Sequence, residues 1–449
     1  MAEPDPKPDK VLVIGGGWAG LAAAVELTQH GIPVTLLEAA RQLGGRARCI
    51  PFDDQRIDNG QHLMIGAYQA MLRLMCTVGV DVESAFLRQP LDLHMRGLHQ
   101  PELRMRARKL PAPLHLALAV ATVRGLPARE RLQLLRFSHR LLRNKIVLDT
   151  DITALALLMG ERQGARVTRA LWEPLCLAAM NTPLAEASAK MFLNVLRRTF
   201  TGEANHSDLL IPKDDLGVLL PEPALDFIER GGGTVLLNHR VEHLLIDAVG
   251  CHGVTWRGGE LKAKRVILAV HPVMCRRLLA PHPALAGIAA ELSQLRQEPI
   301  TTVYLRYPED VALNNHMQGL LDGLGQWIFD RRIAGHPGLI AVVISGRGEH
   351  LMLDNGTLSN QIGAELARLH PDWPAPLASR VIREKRATFA ATVDVDRHRP
   401  VTTTPTPGLW LAGDFTATGL PATLEGAVLS GQRAAVAILG PAYSGATPP

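Results

Sequence analysis

Aromatic side chains make up only 4% of this 449-residue chain. So sparse a supply argues against the stacking platforms on which single-stranded nucleic acid is held. Cysteine is scarce too: Cys49, Cys76, Cys176, Cys251 and Cys275 are scattered, odd in number and never in a CxxC pair. That pattern excludes a disulfide framework and a zinc-type metal centre, and is read as reduced thiols in a cytoplasmic protein. No apolar run reaches the roughly 18–20 residues of a spanning helix; the best, 110–123, is shorter and contains His115. The opening MAEPDPKPDK has neither the basic nor the apolar part of a secretory signal. Acidic residues are nearly missing from one stretch. Between Arg96 and Lys145 stand twelve Lys and Arg against Glu102 and Glu130 alone, in a chain whose net charge is only +5. A basic segment also rich in Leu, Ala and Val has two readings: a face for anionic lipid headgroups, or a solvated face of ordinary helices. No nucleic-acid module accompanies the charge, so nucleic acid is not expected as a partner.

What the chain does have is 47% hydrophobic residues and length enough for two or three domains. Lys10–Ile14 (KVLVI) reads as a short buried parallel strand. It runs into Gly15-Gly16-Gly17-Trp18-Ala19-Gly20 and then a helical stretch that Gly31 closes. In a strand–GxGxxG–helix unit Gly15 permits the tight turn, Gly17 lets the backbone approach a pyrophosphate, and Gly20 lets helix and strand pack closely. The helix start, with Trp18 and Ala19, offers oriented N–H groups to the anion. The next strand, PVTLLE, ends on Glu38, placed with Ala39 to grip a ribose hydroxyl pair. With these parts in register, a dinucleotide site is expected.

A second glycine turn, Gly44-Gly45-Arg46, follows. A nicotinamide enzyme has no use for it, whereas the longer FAD does, because Arg46 offsets phosphate charge and Gly45 admits the chain beside it. Next come Asp58-Asn59-Gly60-Gln61-His62 and, near the end, LAGDFTATGLPATLEGAVLSG (Leu411–Gly431). Here the chain resembles the superfamily of FAD-dependent amine oxidases, phytoene desaturases and protoporphyrinogen oxidases. The resemblance implies that Gly60, Gln61 and His62 run beneath the isoalloxazine ring. It implies that the tail folds back beside the first strand, with Gly413 and Asp414 near the ribityl and pyrophosphate. Ala422, Thr423, Leu424 and Glu425 then cap the pyrimidine end, where a helix N-terminus favours an electron-rich ring edge. It also makes Val241 the residue whose backbone meets the adenine.

The fold class implied is α/β: a Rossmann-type FAD-binding domain with an inserted α+β substrate domain, a helical cap plus a mixed sheet. The FAD domain is expected in three pieces, 8–70, 205–290 and 395–449. Between them lie 71–204, read as helical and substrate- or membrane-facing, and 291–394, read as sheet-containing. The tail PAYSGATPP is expected to be disordered.

Leu171–Pro183 (LWEPLCLAAMNTP), KRATFAAT, Arg399-Pro400 and the tail motif most resemble the hydroxysqualene dehydroxylases, over essentially the whole chain. That family implies reduction of hydroxysqualene to squalene: an acid releases the allylic hydroxyl as water, and a hydride from reduced flavin quenches the cation. Glu173 is the first choice for the acid, since an apolar pocket raises a carboxyl pKa; Trp172 would steady the cation, and His62 is the second choice for the acid. A substrate dissolved in lipid gives residues 105–143 a purpose as a surface resting on the inner membrane. The electron donor is not named by any residue. The rivals are a carotenoid-type desaturase or isomerase on the same fold, an amine oxidase, and a non-catalytic isoprenoid escort protein.

Overall fold

The computed structural model describes residues 10–52 and 55–440, so the PAYSGATPP tail lies outside the described residues. Two sheets organise the chain. The first is five-stranded and parallel, in the order Thr234–Leu236, Val34–Leu37, Val11–Ile14, Arg265–Leu268, Leu409–Leu411. Val11–Ile14 is central and buried along its whole length, which is why its residues are apolar without alternation. Parallel neighbours need long crossovers, and the sheet duly draws its strands from three distant parts of the sequence. The tail strand does not lie beside the first one, as the resemblance implied. Arg265–Leu268, whose Val266, Ile267 and Leu268 are fully buried, takes that place, and Leu409–Leu411 pairs with it from outside.

Helix Trp18–Gln29 packs against the last helix, Leu424–Leu439. A Cβ on Gly431 would come within 2.1 Å of the Ala19 carbonyl oxygen. Only glycine permits so close an approach, so the final Ser-Gly of the tail motif is what seats the two helices together.

The second sheet is seven-stranded and mixed. Its order is Ala378–Phe389, Gln297–Arg306, Leu339–Ser345, Trp327–Asp330, Met317–Leu320, Asp92–Arg96, Leu103–Arg106. Helix Asn355–Leu369 covers one face through Leu358, Ile362 and Leu366, one turn apart and fully buried. The last two strands come from the stretch expected to be helical, as does Phe86–Gln89, which pairs with Leu209–Pro212. Their Leu, Met and Arg are good helix formers. Pairing overrides that propensity, because Leu93, Met95, Leu103 and Met105 all point inward while Asp92, Arg104 and Arg106 point out.

The remainder of that stretch is helical. Ala128–Leu142 buries Leu134, Phe137 and Leu141 and turns Arg129, Arg136 and Arg140 outward. Thr168–Trp172 is a π-helical turn leading into Glu173–Met180; Pro174, lacking an N–H, cannot close an ordinary α turn there. No helix among the described residues is long and apolar enough to cross a membrane.

Candidate active site

A cleft opens at the carboxyl ends of the parallel strands, where open α/β sheets bind ligands. Gly15, at φ +105°, turns the chain, and a Cβ there would lie 2.4 Å from the Ala269 oxygen. A Cβ on Gly20 would be 1.9 Å from the Gly15 oxygen. Gly17 differs: a Cβ there would meet only Gly45 Cα, at 3.8 Å, so its missing side chain leaves room in the cleft. Gly44 and Gly45, at φ +102° and +62°, bring the second glycine turn alongside, with Gly17 bridged to Gly44. Helix Trp18–Gln29 starts on Gly17 with no side-chain cap, so its first N–H groups face the cleft unpaired. Glu38 accepts from Gly16 N at 2.6 Å and Ala40 N at 2.7 Å; Ala39 stands beside it on the wall.

Arg46 spans the middle of the cleft. It donates to Asp414 Oδ2 at 2.7 Å and to the Ala387 oxygen at 2.6 Å. The Gly413–Thr418 loop carrying Asp414 is held from behind by Arg399, buried and donating to the oxygens of Asp414, Thr416 and Thr418 while lying over the Phe389 ring. His271 lies at the same wall; burial, then the Arg46 charge, lowers its pKa to about 4. Its Nδ1 accepts from Val273 N, and its buried Nε2 has no partner among the described residues. Sequence reasoning missed His271 because it sits after an unremarked middle strand, in no glycine motif.

At the far end, Gly60, Gln61 and His62 line the cleft floor. His62 bonds the Gly60 oxygen through Nδ1 at 2.9 Å, and burial lowers its pKa to about 4, so it is neutral at pH 7. Thr423 caps helix Leu424–Leu439 by accepting from Gly426 N, and Ala422, Thr423 and Leu424 face the cleft. Glycines where a Cβ would intrude, two helix starts and the guanidinium of Arg46 across the middle suit an FAD along its length.

Glu425 and Val241, whose backbone was expected at the cofactor, are not among the residues lining this cleft. The Glu425 carboxylate turns away and accepts from Ala70 N and Met71 N, at 3.0 and 2.9 Å, capping helix Gln69–Thr77. Val241 opens a separate antiparallel sheet opposite Trp256, with its side chain buried, and is absent from the cleft wall.

Behind the flavin end the cleft runs into a second, apolar cavity, walled by residues such as Leu93, Leu175, Leu196, Phe200, Met317 and Phe329. Gln61, Leu63, Tyr68, Ala178, Ala179, Ile300 and Thr423 line both spaces and so mark their junction. The NTP part of the LWEPLCLAAMNTP motif latches this wall in place. Asn181, in the left-handed region at φ 49°, donates to the Pro299 oxygen and Thr388 Oγ1 and accepts from Gly346 N. The motif's small Ala178 and Ala179 thereby face the junction.

Its other two named residues do not reach the cavity. Glu173 is raised in pKa by burial, but its carboxylate turns to Leu184 N, 3.4 Å away. Trp172 is buried between Phe137 and Phe192 and donates to Gln163 Oε1. Helical phase explains both: Leu175, Ala178 and Ala179 occupy the cavity face of Glu173–Met180, and the preceding turn points into the cap's own core.

Known proteins agree with this architecture. The family model described as flavin-containing amine oxidoreductase matches residues 18–439. A hydroxysqualene dehydroxylase of Rhodopseudomonas palustris is 30% identical over 96% of this chain and 98% of its own. One from Sinorhizobium fredii is 29% identical over 95% and 98%. A zeta-carotene desaturase of Arabidopsis thaliana is 23% identical, covering 95% of this chain and 84% of its own. Among solved structures, putrescine oxidase bound to putrescine superposes with a TM-score of 0.71 at 19% identity, over 96% of this chain and 99% of that one. The chain belongs to the flavin-containing amine oxidoreductase family.

Proposed function

We propose that the protein is an FAD-dependent oxidoreductase that reduces hydroxysqualene to squalene with loss of water. The observation that carries this is the continuity of a cofactor cleft with an apolar cavity through a shared, small-residue wall. Long apolar substrates need such a cavity with few polar groups. The near-full-length likeness to hydroxysqualene dehydroxylases selects this substrate class from others on the fold.

The helix start at Trp18–Gly20, Glu38 and Arg46 would hold FAD along the two glycine turns, and Gly60–His62 and Ala422–Leu424 would hold its ring end. When bound and reduced it supplies a hydride to the carbon that loses its hydroxyl. The protein's own task is to release that hydroxyl. Glu173 and Trp172 stand off the cavity, and His62 is neutral. Tyr68 lines both spaces at their junction. Burial, then the nearby Glu425 carboxylate, raises its pKa, so Oη stays protonated. Tyr68 Oη holds the proton that the departing hydroxyl takes, forming water; Gln61, whose Oε1 is buried with no partner among the described residues, orients the group. The apolar wall excludes bulk water from the cation.

Oxidative desaturation is the second reading, favoured by the carotene-desaturase likeness. Anaerobic incubation of the holoprotein with hydroxysqualene and chemically reduced flavin should yield squalene. No squalene, together with desaturation of phytoene by the oxidised protein, would overturn the proposal.

The same reading places the substrate in a bilayer. Residues 105–143 are the proposed membrane surface: Leu110 and Leu114 are exposed, and His115, on the helix Leu114–Ala121, touches Ser207 of the cavity wall.

A further inference from the structure

The hairpin Asp92–Arg96/Leu103–Arg106 has two unlike faces. Its inner face sends Leu93 into the apolar cavity. On its outer face is a separate pocket lined by Arg104, Arg106, Arg108, Lys109 and Arg124, with Asp92 as its one carboxylate. Five cations line the pocket against one carboxylate, and Lys109 is also within electrostatic reach of Asp208.

Backbone pairing makes this cluster a built feature. Arg104 and Arg124 exchange both main-chain hydrogen bonds, Arg104 N to the Arg124 oxygen at 3.2 Å and the reverse at 2.9 Å. Directly paired residues on neighbouring strands send their side chains to one face, and like charges so placed repel. Arg106, two residues along the same strand, joins that face. Asp92 Oδ2 lies 3.6 Å from Arg104 and 3.5 Å from Arg106, and one carboxylate cannot neutralise both along with the rest. An arrangement that keeps three guanidiniums on one face is relieved by an anion with several acceptor oxygens.

What stands beside the pocket selects the anion. The chain leaves it through Arg108 and Lys109 directly into exposed Leu110, Pro111 and Leu114, the last 59% exposed. Cations bordering an apolar shelf match a lipid leaflet, where headgroup phosphates lie just above the acyl chains, and do not match a nucleic-acid backbone, which offers no such shelf. We propose that this pocket seats the phosphate of an anionic phospholipid headgroup and docks the apolar cavity on the bilayer. The inference rests on the reading of a lipid-dissolved substrate and gives it an address.

The test compares two charge-matched pairs of substitutions in the holoprotein: Arg104→Gln with Arg124→Gln in the pocket, and Arg276→Gln with Arg277→Gln on the exposed side of helix Pro272–Leu279, outside the proposed membrane surface. Partition onto vesicles of phosphatidylglycerol and phosphatidylcholine should fall about tenfold or more for the pocket pair, at roughly one strong contact per arginine, and less than about twofold for the helix pair. Vesicles of phosphatidylcholine alone should bind neither strongly. Equal losses from the two pairs would overturn the pocket in favour of diffuse attraction. Displacement by inorganic phosphate beyond that by chloride at equal ionic strength would overturn the lipid as the source. Squalene formation from detergent-dispersed substrate should be unchanged in the pocket pair and lost only with vesicle-borne substrate. A wild-type protein that binds vesicles through the pocket yet forms no squalene in detergent would sink the functional reading alone.

Discussion

Two side chains, Tyr68 and Glu173, carry opposite expectations although both have raised pKa values. Glu173 owes its shift to burial beside Leu184, off the cavity; Tyr68 owes its own to burial at the junction. Tyr68→Phe should lower kcat by about 100-fold or more, the range of a lost general acid, with FAD content and substrate KM little changed. Glu173→Gln should keep turnover. Steady-state kinetics on both settles the assignment, and the reverse result would return the acid role to Glu173. The glycines divide just as sharply. Gly17→Ala meets no atom closer than 3.8 Å at an unstrained φ of −76°, so the apoprotein should fold with a small change in Tm and fail to retain flavin. Gly20→Ala places its Cβ 1.9 Å from the Gly15 oxygen and should cost folding itself, seen as insoluble or low-melting protein. These roles were legible in the GxGxxG spacing, because a steric requirement for glycine depends on local backbone. Tyr68 was not, since a lone tyrosine ahead of a helix has no distinguishing neighbours until the fold brings Gln61, Ala178 and Thr423 to it.

The helix Glu173–Met180 and its Asn181 end form the element on which the two spaces meet. The sequence put Glu173 forward as the acid, yet the surface facing the cavity is Leu175, Ala178 and Ala179. Asn181→Ala removes three buried hydrogen bonds and puts a Cβ-bearing residue without a polar side chain at φ 49°. We expect a loss of about 3 kcal/mol in urea unfolding, with a rise in substrate KM as the wall loosens. Unchanged stability would mean that the latch is not what positions the wall. The hairpin 92–106 teaches the converse lesson. Its alternation was present in LDLHMR and LRMRA, but four to five residues of good helix formers within a helical stretch give period two little weight. Membership in the sheet came from Met317–Leu320, more than two hundred residues away, offering an open edge.

Across the whole molecule, buried histidines set the response to acid. His62, His271 and His370 have folded pKa values lowered to about 4, burial being the first cause in each. The unfolded chain takes up their protons below about 6.5 while the folded one does not until near 4. Stability should therefore fall as pH drops through that window and be flat above it on their account. Asp58, raised to about 6 by burial despite Arg331, works the other way between roughly 3.8 and 6, as do the raised carboxyls of Glu173, Asp208 and Glu425, but these four stand against seven lowered histidines among the described residues. The urea midpoint of the apoprotein should be lower at pH 5 than at pH 7; an equal or higher value would show that the histidines are solvated. At this scale the division of information is plain. Short-range patterns were enough for the strand–glycine–helix unit, the second glycine turn, the family and the flavin, because each is a contact between backbone and ligand built within a few dozen residues. Only the assembled fold decided that Arg265–Leu268 separates the tail strand from the first, that Glu425 caps a helix and that Glu173 turns from the cavity. It alone brought Tyr68 to the junction and three arginines onto one face. Those are meetings between residues tens to hundreds of positions apart, and their direction depends on helical phase and strand register, which burial of the entire core selects.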